Sequence, residues 1–516
     1  MLRTRFVVFA IALLVGCGVN PVTGKKEFNL VGEETELKIG AEQYVPSRQM
    51  QGGDLAVDPE LTRYVSEIGQ KLAGASDRKL PYEFSVLNNS VPNAWALPGG
   101  KIAVNRGLLT QLNSEAELAA VLGHEITHAA ARHGAKSMER GMFMQGAVMA
   151  LAIGTHDNQY ANMIVGGAMV GAQLVTQRYG REAELEADHY GMVYMKRAGY
   201  DPGAAIDLQQ TFVKLEQGKK AGWAEGLLAS HPPSQERVDK NRETAAKLGA
   251  GGDLGRDRYQ KVMANLRRDD AAYKKYDEGV AALNKGDDAK ALGLAQEAAK
   301  IEPREGKFAE LMGDVELKRK NYKAALDHYQ RSLALNGGYF KPYLQSAIAR
   351  YQLGERDQAK ALFTRSMELL PTATASYYLG RYAQDAGDTE QALKYYQLAA
   401  GSDSEVGKES ARQAAVLDLP RNPGNYLAAE ARVDKNGQLL IAIQNRAQVP
   451  VRAVELRVAI TNPAGQALQG PVRLTSGTRT IAAGQIIEIP TGLAPITTQA
   501  ELAAVRWQFD KAAVAQ

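Results

Sequence analysis

Two histidines and a glutamate stand together in the pentapeptide His124-Glu125-Ile126-Thr127-His128. On a helix, the i, i+4 spacing places both imidazoles on one face, where they can share a metal ion, while Glu125 lies on the neighbouring flank. Zinc needs a third protein ligand and a water molecule, which it acidifies; Glu125 could take the proton as the hydroxide attacks a peptide carbonyl. The pattern predicts amide hydrolysis, although five such residues also occur by accident in long helices.

A second acidic segment could supply the third ligand. Residues 181–188 read Arg-Glu-Ala-Glu-Leu-Glu-Ala-Asp, so three glutamates compete for this role. Glu184 and Asp188 share a helix face, whereas Glu182 and Glu186 point elsewhere. One carboxylate can therefore bind the metal while the other orients a ligand from behind. We predict Glu184 as the ligand and Asp188 as its support.

Both segments carry the sequence signals of helices. The first follows residues 114–117, Ser-Glu-Ala-Glu, which have the form of a capping box, and the second ends at Gly199 with Pro202 just beyond. Cys17 is the only cysteine of the chain, which excludes a disulfide within it and a thiolate-rich zinc site. Any metal must therefore be held by histidines and carboxylates.

Four motifs in this order resemble the zinc peptidase (gluzincin) family of CAAX proteases and HtpX, and the repeats described below make the chain similar to its soluble envelope branch. They are the Asn-Ala-Trp-Ala-Leu-Pro-Gly-Gly segment at 93–100, the two helices above, and Ser-His-Pro-Pro at 230–233. The resemblance covers roughly residues 20 to 245. It implies a mainly α zincin-type domain with a small β-sheet, one zinc ion per chain, and Glu184 as the third ligand, in agreement with the facing argument.

Two more residues gain roles from this resemblance. In relatives, the histidine matching His231 lies near the metal, where it either steadies the tetrahedral oxyanion or occupies the open zinc position as a latch. Both roles remain open here. Arg237 could pair with Asp188 and hold the loop of His231 to the second helix, although an ordinary surface ion pair fits the sequence equally well.

The segment from Ala94 to Val104 alternates around a Pro-Gly-Gly kink, and the residues assigned to its edge strand are Asn93, Ala94, Trp95 and Ala96. It suits an edge strand beside the cleft, to which an unfolded or extended substrate could add as a further strand. The spacing alone fits an ordinary hairpin as well. The resemblance favours the substrate-binding role.

The first sixteen residues have the features of an export signal. Arg3 and Arg5 precede an apolar run that is too short to span a bilayer comfortably, and residues 14–17, Leu-Val-Gly-Cys, resemble a bacterial lipobox. We therefore expect a lipoprotein signal peptide at 1–16 and lipidation of Cys17. Gly18 stands where the family rule places an inner-membrane retention aspartate, so we expect a periplasmic protein anchored to the outer membrane.

The chain of 516 residues is long enough for several domains. Its 45% hydrophobic and 23% charged residues and its net charge of +4 are ordinary for globular proteins and give no sign of nucleic-acid binding. A Gly-Ala-Gly-Gly-Asp run at 249–253 breaks the helical pattern. We predict a metallopeptidase domain at 17–248, a linker at 249–272, tetratricopeptide repeats at 273–420 and a C-terminal β-sandwich at 425–512.

Repeats are indicated by alanines spaced 34, 34 and 33 residues apart, at Ala291, Ala325, Ala359 and Ala392. This period is typical of tetratricopeptide repeats, which stack helix pairs into an α-solenoid with a concave surface. After Asn422 the pattern changes to period two with Asn-Gly and Pro-Ala-Gly turn signals, which predicts the β-sandwich.

Two functions fit these features. The first is a zinc endopeptidase that hydrolyses misfolded or misassembled envelope proteins, with the repeats gathering substrates or docking to an assembly machinery. The second is a chaperone or scaffold for outer-membrane assembly that acts through its repeats, with a latched or little-used protease site. Complete catalytic residues favour the first.

Overall fold

The computed structural model describes residues 17–145, 173–217, 226–249 and 251–515. The expected signal peptide at 1–16 lies outside this range. Contacts divide the chain into two compact units, which meet between Pro371 and Thr372 in the sequence. No helix in the described ranges combines the length and the apolar character needed to cross a bilayer.

The N-terminal part of the first unit combines short strands with helices. Its strands are β1 (Cys17–Val19), β2 (Lys26–Phe28), β3 (Glu83–Leu87), β4 (Ala94–Leu97) and β5 (Lys101–Asn105). Its helices are α1 (Glu33–Met50), α2 (Pro59–Ala75), α3 (Arg106–Leu109), α4 (Glu115–Ala130), α5 (His133–Gln145), α6 (Arg181–Arg197), α7 (Ala204–Gln217), α8 (Leu227–Ser230) and α9 (Gln235–Leu248).

The main sheet of this part has the order β3-β5-β4. The central strand β5 runs parallel to β3 and antiparallel to β4. Strand β4 therefore forms one edge of the sheet. Strands β1 and β2 make a separate antiparallel hairpin, in which Cys17 pairs with Phe28.

Helix α4 forms the centre of the domain, because every residue from Glu115 to Ala130 is buried. Its start is fixed by two bonds. The Ser114 hydroxyl accepts from the Glu117 backbone N–H at 3.1 Å, and the Glu117 carboxylate accepts from the Asn113 backbone N–H at 2.8 Å. The Ser114 bond satisfies an N–H group that lacks a partner within the helix, as the capping signal predicts, whereas Glu117 accepts from Asn113 and not from Ser114, so the capping box is incomplete.

The interval 249–272, which the glycine run predicted to be a linker, is largely helical. It contains α10 (Arg256–Val262) and α11 (Ala264–Arg268) and the start of α12 (Asp270–Asn284). Tyr259 and Met263 are fully buried in the main core. Gly249, Gly251 and Gly252 lie outside the helices and have positive φ angles, but the short apolar stripe after them packs against the peptidase domain, which a local pattern does not reveal.

The repeats form helix pairs in both units. The first unit contains α12 and α13 (Asp288–Ile301), α14 (Gly306–Lys318) and α15 (Tyr322–Leu335), and α16 (Phe340–Gln352) and α17 (Arg356–Leu369). The second unit begins with α18 (Ala373–Asp385), α19 (Thr389–Ala400) and α20 (Glu405–Asp418). The four alanines that set the period are all fully buried, since a small residue is needed where helices approach closely.

The second unit continues into two antiparallel three-stranded sheets with the orders β10-β7-β6 and β11-β8-β9. The strands are β6 (Leu427–Val433), β7 (Leu439–Asn445), β8 (Val451–Thr461), β9 (Ala467–Thr475), β10 (Ile486–Pro490) and β11 (Val505–Val514), with helix α21 (Gln499–Ala503) before the last. Apolar residues of both sheets, such as Ile441 and Leu456, share one core. The predicted fold class, an α-helical peptidase domain, helical repeats and C-terminal β-structure, is confirmed.

Candidate metal centre

Two glycines allow helices α4 and α6 to cross at very short range. A Cβ atom on Gly123 would lie 2.9 Å from the carbonyl oxygen of Gly191, and one on Gly191 would lie 2.9 Å from the backbone nitrogen of His124. Only residues without a side chain fit at such a crossing. The close approach brings Glu184, near the start of α6, to the two histidines of α4.

Four buried side chains converge at this crossing. Suitable donor atoms of His124, His128, Glu184 and His231 all lie within 4.8 Å of one another. Nε2 of His124 lies 3.0 Å from Nε2 of His128 and 3.3 Å from Nδ1 of His231. Oε1 of Glu184 lies 3.5 Å from Nε2 of His128 and 3.0 Å from Nδ1 of His231, and Oε2 of Glu184 lies 3.5 Å from Nε2 of His124.

These separations fit a metal ion. Nitrogen and oxygen donors about 2.0 to 2.1 Å from a tetrahedral zinc ion lie about 3.3 Å from each other. Imidazole nitrogens and a carboxylate oxygen are also the donors that zinc prefers when cysteine is absent. Zinc held by these residues would supply Lewis-acid chemistry, polarising a peptide carbonyl and acidifying a water molecule.

His124 is oriented by a carboxylate and an arginine behind it. Nδ1 of His124 lies 2.9 Å from Oδ1 of Asp188, so Nδ1–H donates there and leaves Nε2 free to face the cluster. Arg237 donates to both Asp188 oxygens at 2.7 Å. It also donates to the Pro232 carbonyl at 3.1 Å, which holds the loop of His231 against α6. Arg237 is buried, so this pair is no surface ion pair.

His128 has a supporting partner in His133, for which the sequence favoured an ordinary helical or surface position over a supporting role. Nδ1 of His133 lies 2.8 Å from Nδ1 of His128, and Nε2 of His133 lies 3.2 Å from Oε1 of Glu186. Arg132 makes this contact achievable, because its φ of 62° turns the chain sharply between α4 and α5. The available signal was the histidine five residues after His128.

A tyrosine that carried no sequence signal also lies against the cluster. The ring of Tyr179 stacks on that of His128 with centroids 4.0 Å apart and planes 21° apart. The Tyr179 ring lies 5.7 Å from that of His231. It closes one side of the site and restricts the orientation of both imidazoles.

Burial and charge set the acidities of the two glutamates in opposite directions. Burial raises the pKa of Glu125, which is 1% exposed and whose Oε2 has no hydrogen-bond partner among the described residues. Burial would also raise the pKa of Glu184, but His231, Arg237 and His124 hold that pKa well below its ordinary value. Glu184 thus stays charged, as a metal ligand must, while Glu125 is suited to exchange a proton.

The remaining site residues lie near this cluster. Oε1 of Glu125 lies 3.6 Å from Nε2 of His231. Asn93 directly precedes strand β4, which carries Ala94, Trp95 and Ala96 and packs against α4. These residues are buried, with Trp95 only 3% exposed, and Ala96 and His128 line the same small cavity. Cys17 begins β1, outside this cluster.

Comparison with known proteins places these features in a family. Residues 59–245 match the model of peptidase family M48, and residues 276–339 and 344–406 match a tetratricopeptide repeat model. A mitochondrial metalloendopeptidase OMA1 of Schizosaccharomyces pombe is 30% identical over 248 residues, which cover 45% of this chain and 70% of the relative.

Several bacterial relatives are named beta-barrel assembly-enhancing protease. The one from Yersinia pestis is 27% identical over 345 residues, which cover 61% of this chain and 70% of the relative. The one from Escherichia coli K12 is 29% identical over 227 residues, which cover 42% and 45%. The match therefore spans less than half of the length of the Escherichia coli relative. By its motifs, its repeats and these matches, the chain belongs to the M48 family of metallopeptidases.

Proposed function

We propose that this protein is a zinc-dependent endopeptidase of the bacterial cell envelope that hydrolyses peptide bonds in misfolded or misassembled envelope proteins. The main support is the juxtaposition of the donor cluster with Glu125. A buried carboxylate with a raised pKa and a free oxygen stands beside four metal-type donors. This is the combination that amide hydrolysis by a metallopeptidase requires.

Each residue has a proposed role. His124, His128 and Glu184 hold the zinc ion, while Asp188 and Arg237 orient His124 from behind. Glu125 accepts a proton from the attacking water molecule and returns it to the leaving amine. The edge position of β4 suits it to bind an extended substrate backbone by strand addition.

One observation favours the second candidate function, a chaperone or scaffold with a latched site. Nδ1 of His231 lies among the other three donors, at 3.3 Å from His124 Nε2 and 3.0 Å from Glu184. A fourth protein ligand would take the position that substrate and water need. A latch predicts that His231→Ala raises cleavage of an unfolded protein, whereas an oxyanion-stabilising role predicts that it lowers cleavage.

Glu125→Gln separates the two functions. A protease loses cleavage and its cellular phenotype with this change, while bound zinc and thermal stability persist. A scaffold keeps its cellular function with Glu125→Gln. It loses that function only when the concave surface of the repeats is altered.

We also propose that the chain is exported and anchored to the outer membrane through a lipid on Cys17, on the lipobox resemblance of residues 14–17. The bacterial relatives named for beta-barrel assembly support such a location and an assembly machinery as a partner. Labelling cells with a fatty-acid analogue tests the anchor. Cys17→Ala should abolish the label, and labelling that persists would refute it.

A further inference from the structure

A cavity lies beside Glu125. It is lined by helices α4, α6, α7, α8 and α9, and it reaches both Glu125 and His231. The cavity has a volume of about 30 Å³. This volume is room for roughly two or three water molecules, or for the end of a medium-sized side chain.

Most of the wall is apolar. Val121, Met192, Leu208, Phe212 and Leu227 contribute side chains from four helices. The thioether of Met192 is flexible and can adapt to a ligand of slightly different shape. An apolar side-chain stem therefore suits the cavity.

Two neutral amides interrupt this wall, and neither is fully satisfied. Gln209 and Asn241 line the cavity and are 5% and 2% exposed. Oε1 of Gln209 and Nδ2 of Asn241 have no hydrogen-bond partner among the described residues. One is an acceptor and the other a donor, and leaving such buried groups unpaired is unfavourable.

Most charged residues on the wall already have partners, and the exception is Oε2 of Glu125. Arg237 and Asp188 pair with each other, and Glu125 is a carboxylate that repels an acidic ligand. Neutral amides cannot compensate the desolvation of a buried charge. The cavity therefore disfavours acidic side chains, and an uncharged end that both donates and accepts would pair both amides without engaging Glu125.

We propose that this cavity is a substrate subsite for a glutamine or asparagine side chain next to the scissile bond. The carboxamide oxygen would accept from Asn241 Nδ2, and the carboxamide nitrogen would donate to Gln209 Oε1. The inference rests on the proposed peptidase function and adds a substrate preference to it. Gln209 and Asn241 act as specificity-determining residues in this account.

The test profiles cleavage sites by mass spectrometry, using the zinc-loaded full chain and a mixture of unfolded proteins. Wild type should show glutamine and asparagine enriched at one position beside the cut. Gln209→Met and Asn241→Leu should each reduce this enrichment at least tenfold in favour of leucine or methionine, while cleavage continues. Gln210→Met, on the neighbouring position of α7 outside the cavity wall, should leave the profile unchanged.

Thermal unfolding provides a second readout that separates recognition from structural support. Since replacement by an apolar residue removes an unpaired buried group, Gln209→Met should keep or raise the melting temperature. An identical cleavage profile in wild type and both cavity variants would overturn the subsite. No cleavage at all by zinc-loaded wild type would contradict the peptidase function itself, and with it the subsite.

Discussion

Nδ1 of His133 lies 2.8 Å from Nδ1 of His128. Two ring nitrogens at this distance share one proton, so the ring that donates fixes the tautomer of the other. Glu186 determines which ring donates, because its carboxylate accepts from Nε2–H of His133 at 3.2 Å. His133 Nδ1 is then an acceptor, His128 Nδ1–H donates to it, and Nε2 of His128 is left free for the metal.

This relay predicts that His133 supports metal retention without being a ligand. Loss of such a supporting partner typically weakens metal binding about 10- to 100-fold. His133→Ala should therefore release zinc to a competing chelator at a correspondingly lower chelator concentration than wild type does. His189→Ala is the matched control, since His189 lies on α6 but bonds to Thr244 instead. Equal zinc retention in wild type and His133→Ala would contradict the relay.

The helix crossing at Gly123 and Gly191 should tolerate no side chain. In Gly191→Ala, the new methyl group would meet backbone atoms of α4 at 2.9 Å, so the helices must separate. Overpacking of this kind destabilises proteins by about 1 to 3 kcal/mol. The separation should also move Glu184 away from the histidines, and urea unfolding together with zinc content measures both effects.

Gly74→Ala is the control for this substitution. Gly74 lies in α2, and a Cβ there would meet nothing within 4 Å. Because alanine favours helix more than glycine does, this change should stabilise the protein by up to about 1 kcal/mol. A Gly191→Ala variant with wild-type stability and full zinc content would show that the crossing is not tightly packed.

Sequence alone identified the elements whose signals are local. The spacing of His124 and His128, the facing of Glu184 and Asp188, and the alanine period all depend on helical periodicity, so fold class and family could be predicted. The assignment of each ligand remains a prediction until metal binding is measured. Glu184, chosen by helix facing, does lie with both histidines.

The features that sequence did not reveal depend on contacts between distant segments. His133 meets His128 only because Arg132 turns the chain, and Tyr179 reaches the site from a segment without a regular pattern. The helices at 256–268 were not predicted, because the glycines before them indicated a linker. The burial of Tyr259 depends on contacts with the peptidase core, which a local pattern does not show. Tertiary packing of this kind leaves little trace in a local pattern.

The bidentate pair of Arg237 with Asp188 should be a large stabilising element. In Arg237→Ala, the buried Asp188 carboxylate loses both hydrogen bonds from Arg237 and keeps only the one from His124, and breaking such a buried pair costs about 3 to 5 kcal/mol. Arg242→Ala removes an exposed pair with Asp239 on the same helix and should cost less than about 1 kcal/mol. Chemical unfolding measures the free energy of unfolding of both variants. Similar losses in the two variants would contradict a large contribution from the buried pair.

Lys307 should make stability depend on alkaline pH. Its ammonium lies near the aromatic rings of Tyr276 and Tyr339, at 5.9 and 5.2 Å from their centroids. Burial lowers the pKa of Lys307 to about 8. The charged groups around it are Glu305, Glu310, Arg106 and Lys341.

In the unfolded chain, the pKa of a lysine is about 10.4. Between pH 8 and about 10.4, the unfolded chain therefore binds more protons than the folded one. Stability from this group therefore increases as pH rises through that window, by at most about 3 kcal/mol. Lys307→Met lacks this contribution. Its melting temperature relative to wild type should be highest near pH 7 and should fall as pH approaches 10, whereas a constant difference would contradict the account.

The most direct test of the central claim is zinc content, measured by elemental analysis on the purified chain that begins after Cys17. Wild type and Glu182→Ala should each hold one zinc ion per chain, because Glu182 is exposed and outside the donor cluster. Glu184→Ala should lose most of the metal, and Glu125→Gln should retain it while losing cleavage of an unfolded protein. Folded wild type without zinc, or Glu184→Ala with a full zinc content, would contradict the proposed metal centre.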